Sequence, residues 1–174
     1  MRTLIIGGAS CGKSEYAEAL AMQRPGKRYY VASLMPLDEG SLQCIARHQN
    51  MRAQKGFITL ERYTDLAGLC LPTRGTVLLE CLGNLVANEL FAPDGAGAGG
   101  AADAIVSGIT ALGRQCDDLI VVTNDVFADD CDYGDDMLRY MHTLARLNRA
   151  LARRFDRVVE VVCGIPLMLK GEKP

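Results

Sequence analysis

Apolar and β-branched residues cluster in short runs at positions 3–6, 28–32, 75–80, 118–123 and 157–163. Between most of these runs the apolar positions take up the three-to-four spacing of a helix. Helices are predicted over 13–22, 40–53, 82–90, 101–115 and 135–154. The last is marked by apolar residues at 137, 138, 141, 144, 145, 147, 151 and 155. The segment "FITLERY" adds a short strand. Strands alternating with helices predict an α/β fold built on a mostly parallel sheet. The stretch "APDGAGAGGAAD" carries glycines and no large apolar residue other than alanine, so it is expected to be a flexible surface excursion rather than a domain boundary. No internal repeat is evident, and the 174 residues read as a single domain. A chain of this length buries roughly 70% of the surface it exposes unfolded.

Composition narrows the function. A net charge of -2 argues against a nucleic-acid partner, and no apolar run approaches the length of a membrane span. The N-terminus enters a strand-like run without a signal peptide's apolar stretch, so the expected location is the cytoplasm. Seven cysteines, Cys11, Cys44, Cys70, Cys81, Cys116, Cys131 and Cys163, include no CxxC pair, which predicts mostly buried thiols rather than disulfides or a zinc site. Cys11 falls within a glycine-rich loop, where it reads as a small residue filling a loop position.

The chemistry is concentrated near the N-terminus. Gly7, Gly8, Ala9, Ser10, Cys11, Gly12, Lys13 and Ser14 fit G-x-x-x-x-G-K-[ST] at every fixed position, after a predicted strand and before a predicted helix. Glycines let backbone N–H groups converge on a phosphate, Lys13 reaches the β and γ oxygens, and the Ser14 hydroxyl is suited to ligate Mg²⁺. Such a loop also needs a carboxylate at the end of a neighbouring strand. Glu80, ending "TVLLE", is placed to orient the metal directly or through water. "LIVVTND" ends another run with Thr123, Asn124 and Asp125, at the strand end where ligands sit in open α/β sheets.

Several further blocks, "CIARHQNMRAQKGFITLE", "YYVASL", "VLLECLGNLVANELF", "VVTNDV", "LNRALA" and "CGIPLMLK", occur with "GGASCGKS" in an order that spans nearly the whole chain. Together they resemble the bifunctional adenosylcobinamide kinase / adenosylcobinamide-phosphate guanylyltransferase family. The resemblance implies a RecA-like phosphate-loop fold and two reactions on one corrinoid. The first is phosphorylation of the aminopropanol hydroxyl of adenosylcobinamide; the second is transfer of GMP from GTP through a guanylylated histidine. His48 occupies the nucleophile's place in the family pattern and Arg52 the place of its arginine, while His142 reads as structural or solvated. The same alignment puts nucleotide contacts on the phosphate loop, on Ala32, Ser33 and Leu34, on Gln49, Asn50, Met51 and Arg52, and on Glu61 and Glu80. GTP or ATP with Mg²⁺, a corrinoid substrate and a homo-oligomer, trimeric in the family, are implied with it. A single-activity relative and a non-catalytic corrinoid-binding protein are the competing readings. Where many relatives carry an E-V-G turn, this chain has Asp125-Val126-Phe127.

Overall fold

The computed structural model describes residues 1–36, 42, 46, 49, 54–126 and 133–172. Its strands are β1 (Arg2–Gly7), β2 (Arg28–Ala32), β3 (Phe57–Glu61), β4 (Thr76–Glu80), β5 (Asp118–Asn124), β6 (Arg157–Val162) and β7 (Ile165–Lys170). Its helices are α1 (Lys13–Met22), α2 (Leu82–Phe91), α3 (Gly97–Gln115) and α4 (Asp135–Arg154), with a 3₁₀ turn at Leu66–Gly68. Of the helix expected over 40–53, only Leu42, Ala46 and Gln49 are among the described residues, and these are helical.

The strands form one sheet in the order β3-β2-β4-β5-β1-β6-β7. All pairs are parallel except β6 with β7. Strands buried on both faces need continuous apolar runs rather than alternation, which is how "LIVV" and "VLL" read. One core packs α2, α3 and α4 on one face, around Leu82, Leu85, Ile105, Leu112, Leu144 and Leu151. A smaller one packs Ala17, Leu20 and Ala21 of α1 on the other, against Ile5, Leu78 and Val122. The β5 strand lies between the strand that feeds the phosphate loop and the strand that ends in Glu80. This is the RecA-like order.

Three expectations are corrected. The strand predicted to reach residue 163 ends at Val162, because Cys163 (φ 49°) and Gly164 (φ 78°) form a two-residue hairpin turn closing on the Val162–Ile165 pair. Positive φ at both central residues is what such a turn demands, and it produces β7, which the sequence pattern did not predict. The glycine-rich segment is not wholly an excursion, since α3 begins at Gly97. Its start is anchored by Glu89, 2% exposed, whose carboxylate accepts the N–H groups of Ala96 at 2.9 Å and Asp65 at 2.8 Å. Finally, Cys81 and Cys116 are buried as expected, but Cys70 and Cys163 are exposed and Cys11 is partly so. Cys163 is exposed because it sits in the hairpin turn. Cys44 and Cys131 lie outside the described residues.

Candidate active site

The loop between β1 and α1 takes its shape from two close approaches. A side chain at Gly7 would meet Cys11 Sγ at 2.6 Å and the Val161 carbonyl at 2.7 Å; at Gly12, where φ is 90°, it would meet Gly164 Cα at 3.1 Å. Glycine is the residue that fits both positions. From behind, the Gly164 N–H donates to the Cys11 carbonyl at 2.8 Å, and the Asp125 N–H donates to the Gly7 carbonyl at 3.1 Å. Gly8, by contrast, faces open space. The loop is thus braced on its protein side and open on the other.

Lys13, 9% exposed, donates from Nζ to the Gly8 carbonyl at 2.9 Å, so its ammonium spans the loop. One residue on, the Ser14 hydroxyl donates to Glu80 Oε1. The second oxygen of that carboxylate, Oε2, is buried and has no hydrogen-bond partner among the described residues. A buried anionic oxygen without a donor is costly unless a cation or water completes it. A hydroxyl and an under-satisfied carboxylate beside a phosphate loop suit Mg²⁺, which is held by one or two protein oxygens together with substrate phosphates and water. Among the described residues, no group of three or more His, Cys, Asp or Glu side chains forms a metal cage. The neighbouring Cys81 thiol is pushed up from its usual range, chiefly by burial. The Glu80 charge adds to the rise, and the Asn84 and Gly83 N–H groups and Lys13 oppose it. It therefore stays a neutral thiol and adds no second negative charge beside Glu80.

Register brings the remaining predicted residues to the same end of the sheet. Ala32 pairs with Glu61 on one side and Glu80 on the other, so the two glutamates share one rung with β2 between them. Two strand spacings put their backbones roughly 10 Å apart. Ser33 continues the rung: its N–H donates to the Glu80 carbonyl at 3.2 Å and its hydroxyl to the Cys81 carbonyl at 2.8 Å. Leu34 follows, exposed. Asn88 of α2 ties the Ser33 carbonyl at 2.8 Å to that of Tyr63 at 3.0 Å.

At the β3 edge Glu61 accepts from Gln49 Nε2 at 2.7 Å and from the Tyr63 hydroxyl at 2.8 Å. These residues line a cavity of about 220 Å³ with Pro36, Leu42 and Ala46. Burial and then the bond to Glu61 push the Tyr63 hydroxyl up to about 12. It is a permanent donor at neutral pH. His48, Asn50, Met51 and Arg52 lie outside the described residues. His142 is exposed on α4, in keeping with a solvated histidine. Sequence reasoning missed Tyr63 and Asn88. Tyr63 follows Glu61 by two residues, a spacing visible in the sequence, whereas the reach of Asn88 across to Ser33 depends on the packing of α2.

A loop braced on one side and open at Gly8 on the other, a lysine across it and a hydroxyl–carboxylate pair at the strand ends define a phosphate-loop nucleotide-binding protein of the RecA-like kind. The chain belongs to the cobinamide kinase / cobinamide phosphate guanyltransferase family, whose model matches residues 3–169. It is 32% identical to the bifunctional adenosylcobalamin biosynthesis protein CobP of Pseudomonas aeruginosa over 181 residues, covering 99% of each chain. It is 30% identical to the bifunctional adenosylcobalamin biosynthesis proteins CobU of Salmonella typhimurium and Escherichia coli. In both comparisons 98% of this chain and 100% of the relative are covered.

Proposed function

We propose that the chain is a bifunctional enzyme of cobalamin biosynthesis that phosphorylates adenosylcobinamide and then transfers GMP from GTP to the phosphate. The observation that carries the first step is the joined arrangement of Lys13, Ser14 and Glu80, with Glu80 Oε2 buried and unpaired. Phosphoryl transfer asks little covalent chemistry of the protein and much positioning. Lys13 neutralises charge on the transferring group, and the loop N–H groups hold the other phosphate oxygens. Ser14 and Glu80 would hold Mg²⁺, which when bound neutralises charge on the β- and γ-phosphate oxygens. GTP or ATP serves as phosphoryl donor.

The second step needs a nucleophile at the α-phosphorus, and His48 is assigned that role on the family pattern, with Arg52 as the cation beside it. A neutral imidazole is a competent nucleophile near pH 7. Glu61, held by Gln49 and Tyr63, belongs to the nucleotide contacts together with Ala32, Ser33, Leu34, Asn50 and Met51. No helix among the described residues is long and apolar enough to cross a membrane, and we place the enzyme in the cytoplasm. It works as a homo-oligomer, a trimer by family analogy. The exposed residues Ile165, Leu167 and Leu169 alternate along edge strand β7 and so present one apolar face suited to a subunit contact.

Labelling tests the covalent step. Wild-type protein given α-labelled GTP and Mg²⁺ should keep label through denaturation, release pyrophosphate without corrinoid, and lose the label in acid but not in mild base. His48→Ala should not label and should still phosphorylate cobinamide. A labelled His48→Ala protein would assign the nucleophile to another residue.

A further inference from the structure

A second opening lies at the same end of the sheet, on the side away from Glu61. The first helical turns of α4 and the middle and C-terminal end of α2 leave a groove of about 320 Å³ lined by Ala87, Phe91, Asp136, Met137 and Tyr140. Phe91 and Met137 are 48% and 43% exposed, and Leu138 beside them is 40% exposed. Large apolar side chains gathered at a concave surface, with one carboxylate at the rim, match the make-up of small-molecule sites. Asp136 is paired with Arg139 at 3.1 Å, so the rim offers both an acceptor and donors.

Through Tyr140 the groove adjoins the phosphate-loop site. Gly83, in the first turn of α2, follows Glu80 by three residues. A side chain there would meet the Tyr140 hydroxyl at 2.8 Å, Asn124 Nδ2 at 3.2 Å and Cys81 Sγ at 3.7 Å. Asn124 is the sheet partner of Gly7, the first residue of the loop. Tyr140 therefore stands between the groove and the loop site, its hydroxyl packed with the Asn124 amide over buried Gly83, where a side chain would not fit.

We propose that this groove seats one side of the corrin macrocycle, with the hydroxyl-bearing arm reaching from the Tyr140 rim toward Lys13 and Ser14. The assignment rests on the reading that the chain acts on cobinamide. A corrin presents broad apolar faces and a rim of primary amides. The faces suit Phe91, Met137 and Tyr140; the amides suit Asp136 and Arg139. The described cavity at Glu61 is smaller and is bounded by polar groups assigned to the nucleotide. At about 320 Å³ the groove takes part of the ring and leaves the opposite edge outside.

The test is equilibrium dialysis of cobinamide, followed by its visible absorbance, against wild type, Phe91→Ser and Met137→Gln. GTP binding, thermal midpoint and particle mass are measured alongside. Cobinamide should bind at least about tenfold more weakly to each variant, the loss expected when an apolar contact is removed from a binding pocket. GTP affinity should stay unchanged. Met137→Gln, in the exposed first turn of α4, keeps the test valid if Phe91→Ser lowers the midpoint. Unchanged cobinamide affinity in Met137→Gln overturns the proposal; a changed particle mass with unchanged cobinamide affinity overturns it in favour of a contact between copies of the chain. A wild type that binds cobinamide in a groove-dependent way yet transfers no phosphate leaves the groove assignment standing and removes the kinase reading. A wild type that binds no cobinamide removes both.

Discussion

On the β1 and β4 side of the nucleotide site, Lys13 is almost buried, Ser14 is tied to Glu80, and the loop is braced from behind by Gly164 and Asp125. At the β3 edge, among the described residues, the Glu61 carboxylate is held by the side chains of Gln49 and Tyr63, on an exposed rim. Phosphoryl transfer gains from groups fixed before the nucleotide arrives, because fixed dipoles need no reorganisation as charge develops. Guanylyl transfer, as proposed, draws on residues 48–52, which include Gln49. The difference assigns the rigid part of the site to the kinase step and the side-chain-built part to the nucleotide's other end.

Substitutions should separate the two regions. The largest effect is expected of Lys13→Ala, which should cut kcat for phosphorylation by about 10²–10³-fold or more, comparable to losing a charge-stabilising donor in other active sites. Near-normal turnover would dissolve the contrast, since the rigid side would then contribute no catalysis. Glu80→Gln should raise the Mg²⁺ concentration for half-maximal activity by roughly 10–100-fold, the range seen when a group around a metal is removed. A metal titration that does not move returns Glu80 to a structural role as partner of Ser14.

The smallest effect is expected of Tyr63→Phe, which removes one of the two donors to Glu61 among the described residues and should change the KM for GTP a few-fold while leaving cobinamide phosphorylation at saturating nucleotide intact. The same residue gives a pH test. Its hydroxyl titrates near 10 when unfolded and at about 12 in the fold, so the native state holds the proton more tightly. Its contribution to stability is present below pH 10 and is lost between about 10 and 12. Denaturation midpoints should fall less steeply across that window in Tyr63→Phe than in wild type.

The phosphate loop was legible because its demands are local: glycines where the backbone closes in, then a lysine and a hydroxyl at the start of a helix. Glu80 was legible for a similar reason, as a single acid at the end of an apolar run. The β7 strand was not, since "IPLMLK" lacks alternation between apolar and polar residues and contains Pro166, which a strand tolerates at a sheet edge. Its existence follows from the positive-φ turn at Cys163 and Gly164, and that turn was read as the end of the preceding strand. The early start of α3 was hidden for a different reason. Glycine is about 1 kcal/mol poorer than alanine in a helix, which argued against helix at 97–100. The compensating acceptor, Glu89, comes from another helix.

That carboxylate has a consequence for how the fold opens. It receives N–H groups from the residue before the 3₁₀ turn and from the residue before α3, and the helix that bears it starts directly after Glu80. Three segments therefore share one anchor, and none can detach without uncovering it. In hydrogen exchange, the amides of Asp65 and Ala96 should show matching protection and open as a single unit with α2. In Glu89→Ala both should lose protection together, each orphaned N–H costing about 1–3 kcal/mol. The amides of β1 and β5, on the far side of the core, should exchange as before.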